Sequence, residues 1–270
     1  MPRISLPNAP AAAAPLTTVI TTREPEDWRR LQRDVATILA ECGLSVEVEK
    51  TVQLARGRAE IDVHAVETIG GRTHTIFCEC KFWKRAIPQN VVHSFRTVVA
   101  DGGANVGYLI TSSPFQSGAF SAAELTNLRL VTWPEFQAEF EATWIEHYLH
   151  PEVTRRLELL TDYTEPLAPR AFTDLDENGK QRFIEVRNRH VDLGQVAMLF
   201  TIYVQMPGYK APELPLRPRY TPSSPSAFMP DELLDAIAYR DFFEILVANG
   251  ERATAELSEA LGEPTTGSAR

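Results

Sequence analysis

The sequence is poor in cysteine and has no long apolar run. Three cysteines in 270 residues are an odd number, which disfavours a disulfide framework and favours reduced thiols in a cytoplasmic protein. Cys78 and Cys80 have no further ligands nearby, so we interpret them as core thiols and not as a soft-metal pair. No apolar run approaches the roughly 18 residues of a membrane helix, and prolines interrupt the N-terminal alanines, so the sequence predicts neither a membrane span nor a secretory signal.

Basic residues are too few to balance the acidic ones. The formal net charge is −9, which argues against a protein that coats nucleic acid. The imbalance is local, because residues 23–136 contain 13 basic and 14 acidic side chains, whereas residues 137–270 contain 13 and 22. The first half is therefore compatible with a DNA partner. The acidic half is a candidate surface for a basic protein partner or an effector ligand.

The apolar periodicity divides the chain into three parts. Residues 1–22 are predicted to be a flexible arm, residues 23–136 a first domain and residues 137–270 an accessory domain. In the first domain, the spacing predicts a helix, three strands, a helix, a strand, a helix and a last strand. This order predicts an α/β sandwich, in which helices flank a mixed central sheet.

The accessory domain is predicted to be a smaller α+β region with a regulatory, recognition or oligomerisation role. Phe172 to Val186 has an Asn-Gly pair near its centre, which predicts a hairpin. The apolar segment from His190 to Gln205 fits a buried helix or a buried strand equally well. Residues 207–230 are rich in proline, which predicts an extended linker or a strap over the surface.

Two strand-like runs place charged residues where apolar ones are expected. The first contains Asp62, and the second, after a Gly-Gly turn signal, contains Glu79 and Lys81. Side chains alternate across a strand, so Glu79 and Lys81 share a face, and pairing of the two runs as a hairpin brings Asp62 to that face. Two carboxylates and an amine on one surface predict metal-assisted chemistry, and the alternative is a surface ion pair between strands.

These runs belong to a longer ordered pattern. It consists of Glu60-Ile61-Asp62-Val63, Glu79-Cys80-Lys81-Phe82-Trp83, Val91-x-x-x-Phe95 and Gly107-Tyr108-Leu109-Ile110-Thr111-Ser112. The pattern resembles the Mrr-like (type IV restriction) endonuclease domain of the PD-(D/E)xK nuclease superfamily, over about residues 26–136. The resemblance implies a restriction-endonuclease-like fold and hydrolysis of DNA phosphodiester bonds, in restriction, antiviral defence or DNA processing.

The resemblance also implies roles for single residues. Asp62 and Glu79 match the family's ligands of Mg²⁺, with Mn²⁺ as a substitute, and the main-chain carbonyl of Cys80 matches a further ligand. Lys81 matches the lysine that positions or activates the attacking water. Gln32 stands where the family usually has a glutamate on the first helix, so weaker metal binding is expected. The alternative function is a catalytically weak or inactive DNA-binding or assembly module.

Contacts to DNA are expected from polar and basic residues near this pattern. The candidates are Gln89, Arg56, Arg58, Lys84 and Arg85. Gln89 begins the helix after the second run, where an ordinary surface glutamine is the alternative interpretation. A double-strand break needs two active sites, so the resemblance and the geometry of cutting both imply a homodimer.

Overall fold

The computed structural model describes residues 19–204 and 209–263, so most of the predicted N-terminal arm lies outside the described residues. The described chain forms two compact units: residues 23–144, and residues 145–204 and 209–263 together with 19–22. Within the second unit, Val19 forms a parallel bridge with Ala238, and Ile20 is buried. None of the helices in the described ranges is long and apolar enough to cross a membrane.

The first unit begins with helix α1, Trp28–Glu41. Asp27 caps this helix, because its carboxylate accepts a 2.7 Å hydrogen bond from the main-chain nitrogen of Arg30. Apolar residues recur every three or four positions and form the buried face: Leu31, Val35, Ile38 and Leu39. Gln32 belongs to the same buried face, which places its polar side chain against the sheet.

A five-stranded sheet follows, with its strands in sequence order. The strands are β1 Ser45–Leu54, β2 Gly57–Ile69, β3 Arg72–Lys81, β4 Val106–Thr111 and β5 Leu128–Thr132. β1, β2 and β3 pair antiparallel, whereas β3, β4 and β5 pair parallel. The predicted mixed sheet is therefore confirmed, and β3 is the strand at which the pairing changes from antiparallel to parallel.

Three helices of this unit accompany the later strands. They are α2 Gln89–Asp101, α3 Ser117–Ala123 and α4 Trp133–Trp144. Gly107 of β4 faces α2, since a Cβ there would lie 2.5 Å from Cγ2 of Val99. The next residue, Tyr108, packs against Phe136 and Phe140 of α4, with ring centroids 5.9 and 5.7 Å apart. Because successive side chains point to opposite faces, α2 and α4 flank the sheet on opposite sides, and the predicted sandwich is confirmed.

The core of this unit is apolar and contains no disulfide. One buried cluster joins the sheet to α2 and α3, and among its largest members are Ile61, Phe77, Val92, Phe95 and Leu109. All three cysteines are buried and free, as the sequence predicted. Burial raises the pKa of each thiol, so the neutral form that packs in an apolar core is favoured.

The regular elements of the second unit are helices, and its described residues contain no strand. Its helices are α5 His150–Thr164, α6 Glu177–Met198, α7 Asp231–Asp235 and α8 Tyr239–Leu261. A π-helical turn at Ile145–Leu149 precedes them, and short 3₁₀ turns lie at Arg170–Asp174, Ile202–Val204 and Arg217–Arg219. α5, α6 and α8 pack against one another. Gly194 allows α6 to approach α5, because a Cβ there would lie 2.6 Å from Cβ of Thr164.

The hairpin predicted for residues 172–186 is wrong. Asp176 is instead the N-cap of α6, and its carboxylate accepts a 2.7 Å hydrogen bond from the main-chain nitrogen of Gly179. Asn178 and Gly179 therefore lie in the first turn of a helix. The segment from His190, left open between helix and strand, is helical through Met198. The strand component expected of the C-terminal region is thus not found in residues 145–204 and 209–263.

The Pro-rich segment lies along α6 where the structure describes it, from residue 209 onward. The hydroxyl of Tyr220 and the main-chain nitrogen of Ser223 both donate to Oδ2 of Asp192, at 2.7 and 3.1 Å. Further along, the main-chain nitrogen of Phe228 donates to the carbonyl of Arg189 at 2.9 Å. The segment is therefore a surface strap, which is one of its two predicted forms.

Candidate active site

The hairpin of β2 and β3 brings the three charged residues together. The paired register of the two strands ends at Val63 and Cys78, and Asp62 and Glu79 are the next residues on each strand. Oδ2 of Asp62 accepts a 2.7 Å hydrogen bond from the main-chain nitrogen of Cys80. Just beyond the last pair of β2 and β3, the Asp62 carboxylate therefore takes the place of a main-chain carbonyl as the acceptor for the Cys80 amide. This hydrogen bond fixes the position of the carboxylate.

Lys81 lies beside Glu79 on the same face of β3. Its ammonium group forms an ion pair with Oε1 of Glu79. The two side chains are 22% and 23% exposed, so water and salt screen this pair less than they screen a pair on the open surface. The ion pair holds a positive charge next to the two carboxylates.

Burial raises the pKa of both carboxyl groups at the site. For Glu79, burial is the largest cause, the charge of Asp62 adds to it, and Lys81 opposes it. For Asp62, burial again raises the pKa, whereas the Cys80 amide and Lys81 lower it. Two acids held together away from water are stabilised in their charged forms by a nearby cation. Such perturbed pairs are a feature of functional sites.

Gln32 reaches the same site from α1, but its contact is with the main chain. Its Nε2 donates a 2.8 Å hydrogen bond to the carbonyl oxygen of Asp62, and the residue is 2% exposed. An ionised glutamate has no hydrogen to donate and would not form this bond. The Gln32 amide is therefore bonded to the β2 backbone at Asp62.

A cleft of about 350 Å³ opens beside these residues. Charged, aromatic and thiol side chains line it together: Trp28, Glu49, Glu60, Asp62, Cys80, Lys81, Phe82 and Trp83. Glu49 and Glu60 are two further carboxylates at the site, and sequence reasoning did not single out Glu49. The register of β1 with β2 places it opposite Asp62, between the Val48–Val63 and Lys50–Ile61 pairs. Its charge raises the pKa of Asp62, which indicates that the two carboxylates are close enough to interact.

Glu49 has a left-handed backbone conformation, with φ at 53°. That conformation costs a residue with a Cβ about 1–2 kcal/mol. The alternation of valines along β1 indicated that Glu47 and Glu49 share its polar face. Only the register of β1 with β2 shows that Glu49, and not Glu47, lies opposite Asp62. The sequence does not specify that register.

Replacing Glu49 by glycine is expected to stabilise the first unit by about 0.5–1 kcal/mol, because glycine adopts a positive φ without steric cost but loses more chain entropy. Glu49→Ala is the matched control, since it removes the same charge and keeps the strained backbone. Urea unfolding followed by tryptophan fluorescence measures the difference. A Gly variant that is no more stable than the Ala variant contradicts the prediction.

Two of the predicted DNA contacts lie next to the cleft. Lys84 and Arg85 follow β3, and the guanidinium of Arg85 lies 5.3 Å from the ring centroid of Trp83, which lines the cleft. The main-chain carbonyl of Arg85 accepts a 2.9 Å hydrogen bond from the hydroxyl of Ser113, which anchors the loop. A positive charge is therefore held at the rim of the site.

The other predicted DNA contacts do not line the cleft. Arg56 forms an ion pair of 3.0 Å with Asp101 at the end of α2, and Arg58 forms a hydrogen bond within the β1–β2 hairpin. The side chain of Gln89 lies against Gly118 of α3, where a Cβ would be 2.6 Å from its Oε1. These three residues are separate from the group formed by Asp62, Glu79 and Lys81.

Asp62 and Glu79 are the two carboxylates of this group that could hold a metal ion. Within residues 19–204 and 209–263, no three Asp, Glu, His or Cys side chains form a group that encloses a metal with protein ligands alone. Mg²⁺ does not require such a group, because it binds through one or two carboxylates and keeps several waters. The residues present therefore fit a hard divalent cation that is shared with water and a phosphate.

Comparisons with known proteins place the first unit in a family. Residues 24–139 match the family model Mrr_cat, described as restriction endonuclease. Among curated proteins, none matches this chain. AF1548, a protein of unknown function, is a similar solved structure with a TM-score of 0.37 and 16% identity, over 87% of this chain and 98% of that one. The structure of MspJI restriction endonuclease in complex with a 27-mer oligonucleotide gives a TM-score of 0.29 and 14% identity. The match covers 44% of this chain and 27% of the MspJI chain. The family match confirms the resemblance over residues 24–139.

Proposed function

We propose that the chain is a metal-dependent DNA endonuclease that hydrolyses phosphodiester bonds in restriction, antiviral defence or DNA processing. The main support is the convergence of Asp62, Glu79 and Lys81 where β2 and β3 separate, inside a domain of a nuclease family. Families of this kind generally use a divalent metal ion. Burial raises the pKa of both carboxyls, and perturbed acids of this kind are more frequent at functional sites.

Each residue of the site has a distinct task in this proposal. A bound Mg²⁺ or Mn²⁺ would be held by Asp62, Glu79 and the carbonyl of Cys80, and would neutralise charge on the scissile phosphate. The Lys81 ammonium orients the attacking water and stabilises the negative charge that develops on the phosphate oxygens. Its ion pair with Glu79 holds Nζ in place. Gln32 maintains the backbone position of Asp62.

Other parts of the molecule are assigned supporting tasks. We propose that Lys84 and Arg85 contact the DNA backbone beside the cleft, and that Arg56, Arg58 and Gln89 contact it farther away. Two chains acting as a homodimer would supply the two sites of a double-strand break. The acidic C-terminal region would bind a protein partner or effector ligand, and the protein would act in the cytoplasm.

Removal of divalent metal tests the proposed function directly. Plasmid DNA is incubated with the full chain in Mg²⁺, in excess EDTA, and in EDTA followed by excess Mg²⁺ or Mn²⁺. We expect cutting in Mg²⁺, loss to background in EDTA and recovery when either metal is added back. Cutting that is insensitive to EDTA contradicts the proposal.

A second candidate function is a DNA-binding or assembly module that keeps the nuclease fold without cutting. It is favoured by Gln32, because this residue occupies the position of the family's helix carboxylate and its amide bonds to the backbone of Asp62. This alternative predicts DNA binding without cleavage in both Mg²⁺ and Mn²⁺. Clean metal-dependent cutting eliminates it.

A further inference from the structure

The cleft has an aromatic wall, which we define as Trp28, Phe82 and Trp83. Trp28 is 44% exposed and Phe82 is 36% exposed, although both are large apolar side chains. Trp83 packs partly against the core of the unit and also lines the cleft. The same cleft contains Asp62 and Lys81, so the aromatic rings border the place where a phosphate would be cut.

Two rings of the aromatic wall lie against guanidinium groups. The guanidinium of Arg29 lies 4.5 Å from the ring centroid of Trp28, and that of Arg85 lies 5.3 Å from the ring centroid of Trp83. A cation over a ring limits the orientations of both side chains. Sites that bind single-stranded nucleic acid combine an aromatic face for a base with a positive charge for the backbone.

Attraction to phosphates is weak in this unit. Residues 23–136 contain 13 basic and 14 acidic side chains, and several of the cations form ion pairs within the protein. The paired cations include Arg30, Lys50, Arg56, Lys81 and Arg129. Few phosphate contacts mean little counterion release, so most of the DNA affinity has to come from another interaction.

Aromatic stacking can supply that affinity only to an unstacked base. In a duplex, neighbouring base pairs cover the faces of each base, and only the edges are accessible in the grooves. A base that is single-stranded or extruded exposes its face to an aromatic ring. The cleft volume of about 350 Å³ is within the range of sites that bind one small ligand group.

We propose that the aromatic wall binds an unstacked base adjoining the scissile phosphate, so that DNA with unpaired nucleotides at the cut site is the preferred substrate. This inference rests on the proposed nuclease function and narrows its substrate class. Trp28 and Trp83 act as stacking surfaces, and Arg29 and Arg85 contact the phosphates on either side of that base.

The test compares one labelled DNA strand in two forms, single-stranded and fully paired, under single-turnover conditions in Mg²⁺. Wild type, Trp28→Ala and Trp28→Phe are measured beside Phe120→Ala. Phe120 is a matched control, because it is 53% exposed on the same unit and does not line the cleft. We expect wild type to cut the single strand about tenfold faster than the duplex, from the usual strength of base–aromatic stacking.

The variants are expected to distinguish a loss of base stacking from a general loss of cutting activity. Trp28→Ala should lose about tenfold in cutting of the single strand and clearly less in cutting of the duplex, and Trp28→Phe should recover part of the loss. Phe120→Ala should behave as wild type on both forms. Equal wild-type rates on both forms, or equal losses on both in Trp28→Ala, overturn the inference and leave the nuclease proposal standing.

Measuring DNA binding in the absence of metal tests the inference even if the protein cuts no DNA. Affinity for the single strand is measured in EDTA at several salt concentrations, with wild type and Trp28→Ala. We expect about tenfold weaker binding in the variant and a shallow salt dependence in both proteins. Affinity unchanged by Trp28→Ala overturns the inference, whereas failure of all cutting with intact Trp28-dependent binding overturns only the proposed catalysis.

Discussion

Lys81→Met is expected to reduce metal-dependent DNA cutting by about 10²–10³-fold, which is the usual loss when one preorganised charge-stabilising donor is removed. The substitution keeps an unbranched side chain and removes the ammonium that pairs with Glu79. DNA binding measured in EDTA should change little, because Lys81 acts on the charge that develops during the reaction. Single-turnover cutting rates on plasmid DNA provide the measurement.

Two further variants make this result specific. Lys84→Met removes an exposed ammonium that is proposed to contact only the DNA backbone, so it should weaken DNA binding and reduce the single-turnover cutting rate at saturating protein far less than Lys81→Met. Asp62→Asn should reduce cutting as strongly as Lys81→Met, because an amide oxygen binds a hard cation poorly yet still accepts the bond from the Cys80 nitrogen. Loss of cutting in Lys84→Met equal to that in Lys81→Met would show that bulk charge, and not the position of Nζ, controls the rate.

Gly194→Ala is expected to destabilise the second unit by about 3 kcal/mol, since overpacking of a tight contact costs about 1–3 kcal/mol and occasionally more. A Cβ at this position would lie 2.6 Å from Cβ and 2.9 Å from Cγ2 of Thr164. Thr164 is the last residue of α5, so the two helices would have to separate. The gain in helix propensity from glycine to alanine, about 1 kcal/mol, is too small to compensate.

Gly179→Ala is the matched control in the same helix. A Cβ at Gly179 would meet its nearest neighbours at 3.2 and 3.3 Å, where shifts of a few tenths of an ångström relieve the contact and the propensity gain offsets part of the cost, so this variant should lose much less stability than Gly194→Ala. Urea unfolding followed by far-ultraviolet circular dichroism reports mainly on the helices. The four tryptophans, Trp28, Trp83, Trp133 and Trp144, all lie in the first unit, so their fluorescence follows that unit alone. Equal stability of Gly194→Ala and Gly179→Ala contradicts the prediction.

The fold of the first unit could be predicted because its signals are local. The helical spacing of α1 and the alternation along β2 and β3 each depend on residues a few positions apart. Asp62, Glu79 and Lys81 needed one further assumption, that the two strands pair across the Gly-Gly turn. The structure confirms that pairing, with Val63 opposite Cys78 at its end.

The features that escaped prediction depend on longer-range geometry. Glu49 enters the cleft through the register of β1 and an unusual backbone angle, neither of which the sequence specifies. Whether the Gln32 amide bonds to the main chain or to the side chain of Asp62 depends on which of the two lies next to α1. In the structure it is the main-chain carbonyl. At Asp176, a helix-capping signal and an Asn-Gly turn signal overlap, and packing of α6 against α5 and α8 favours the helix.

The contact between Asp62 and the Cys80 amide has one more consequence. Beyond the last β2–β3 pair, this amide hydrogen is held by a side-chain carboxylate and not by a neighbouring strand. Its exchange with solvent deuterium, compared with that of the neighbouring amides of β3, therefore measures how often the carboxylate leaves its place while the strand stays paired. A single backbone proton thus reports on the position of the Asp62 carboxylate.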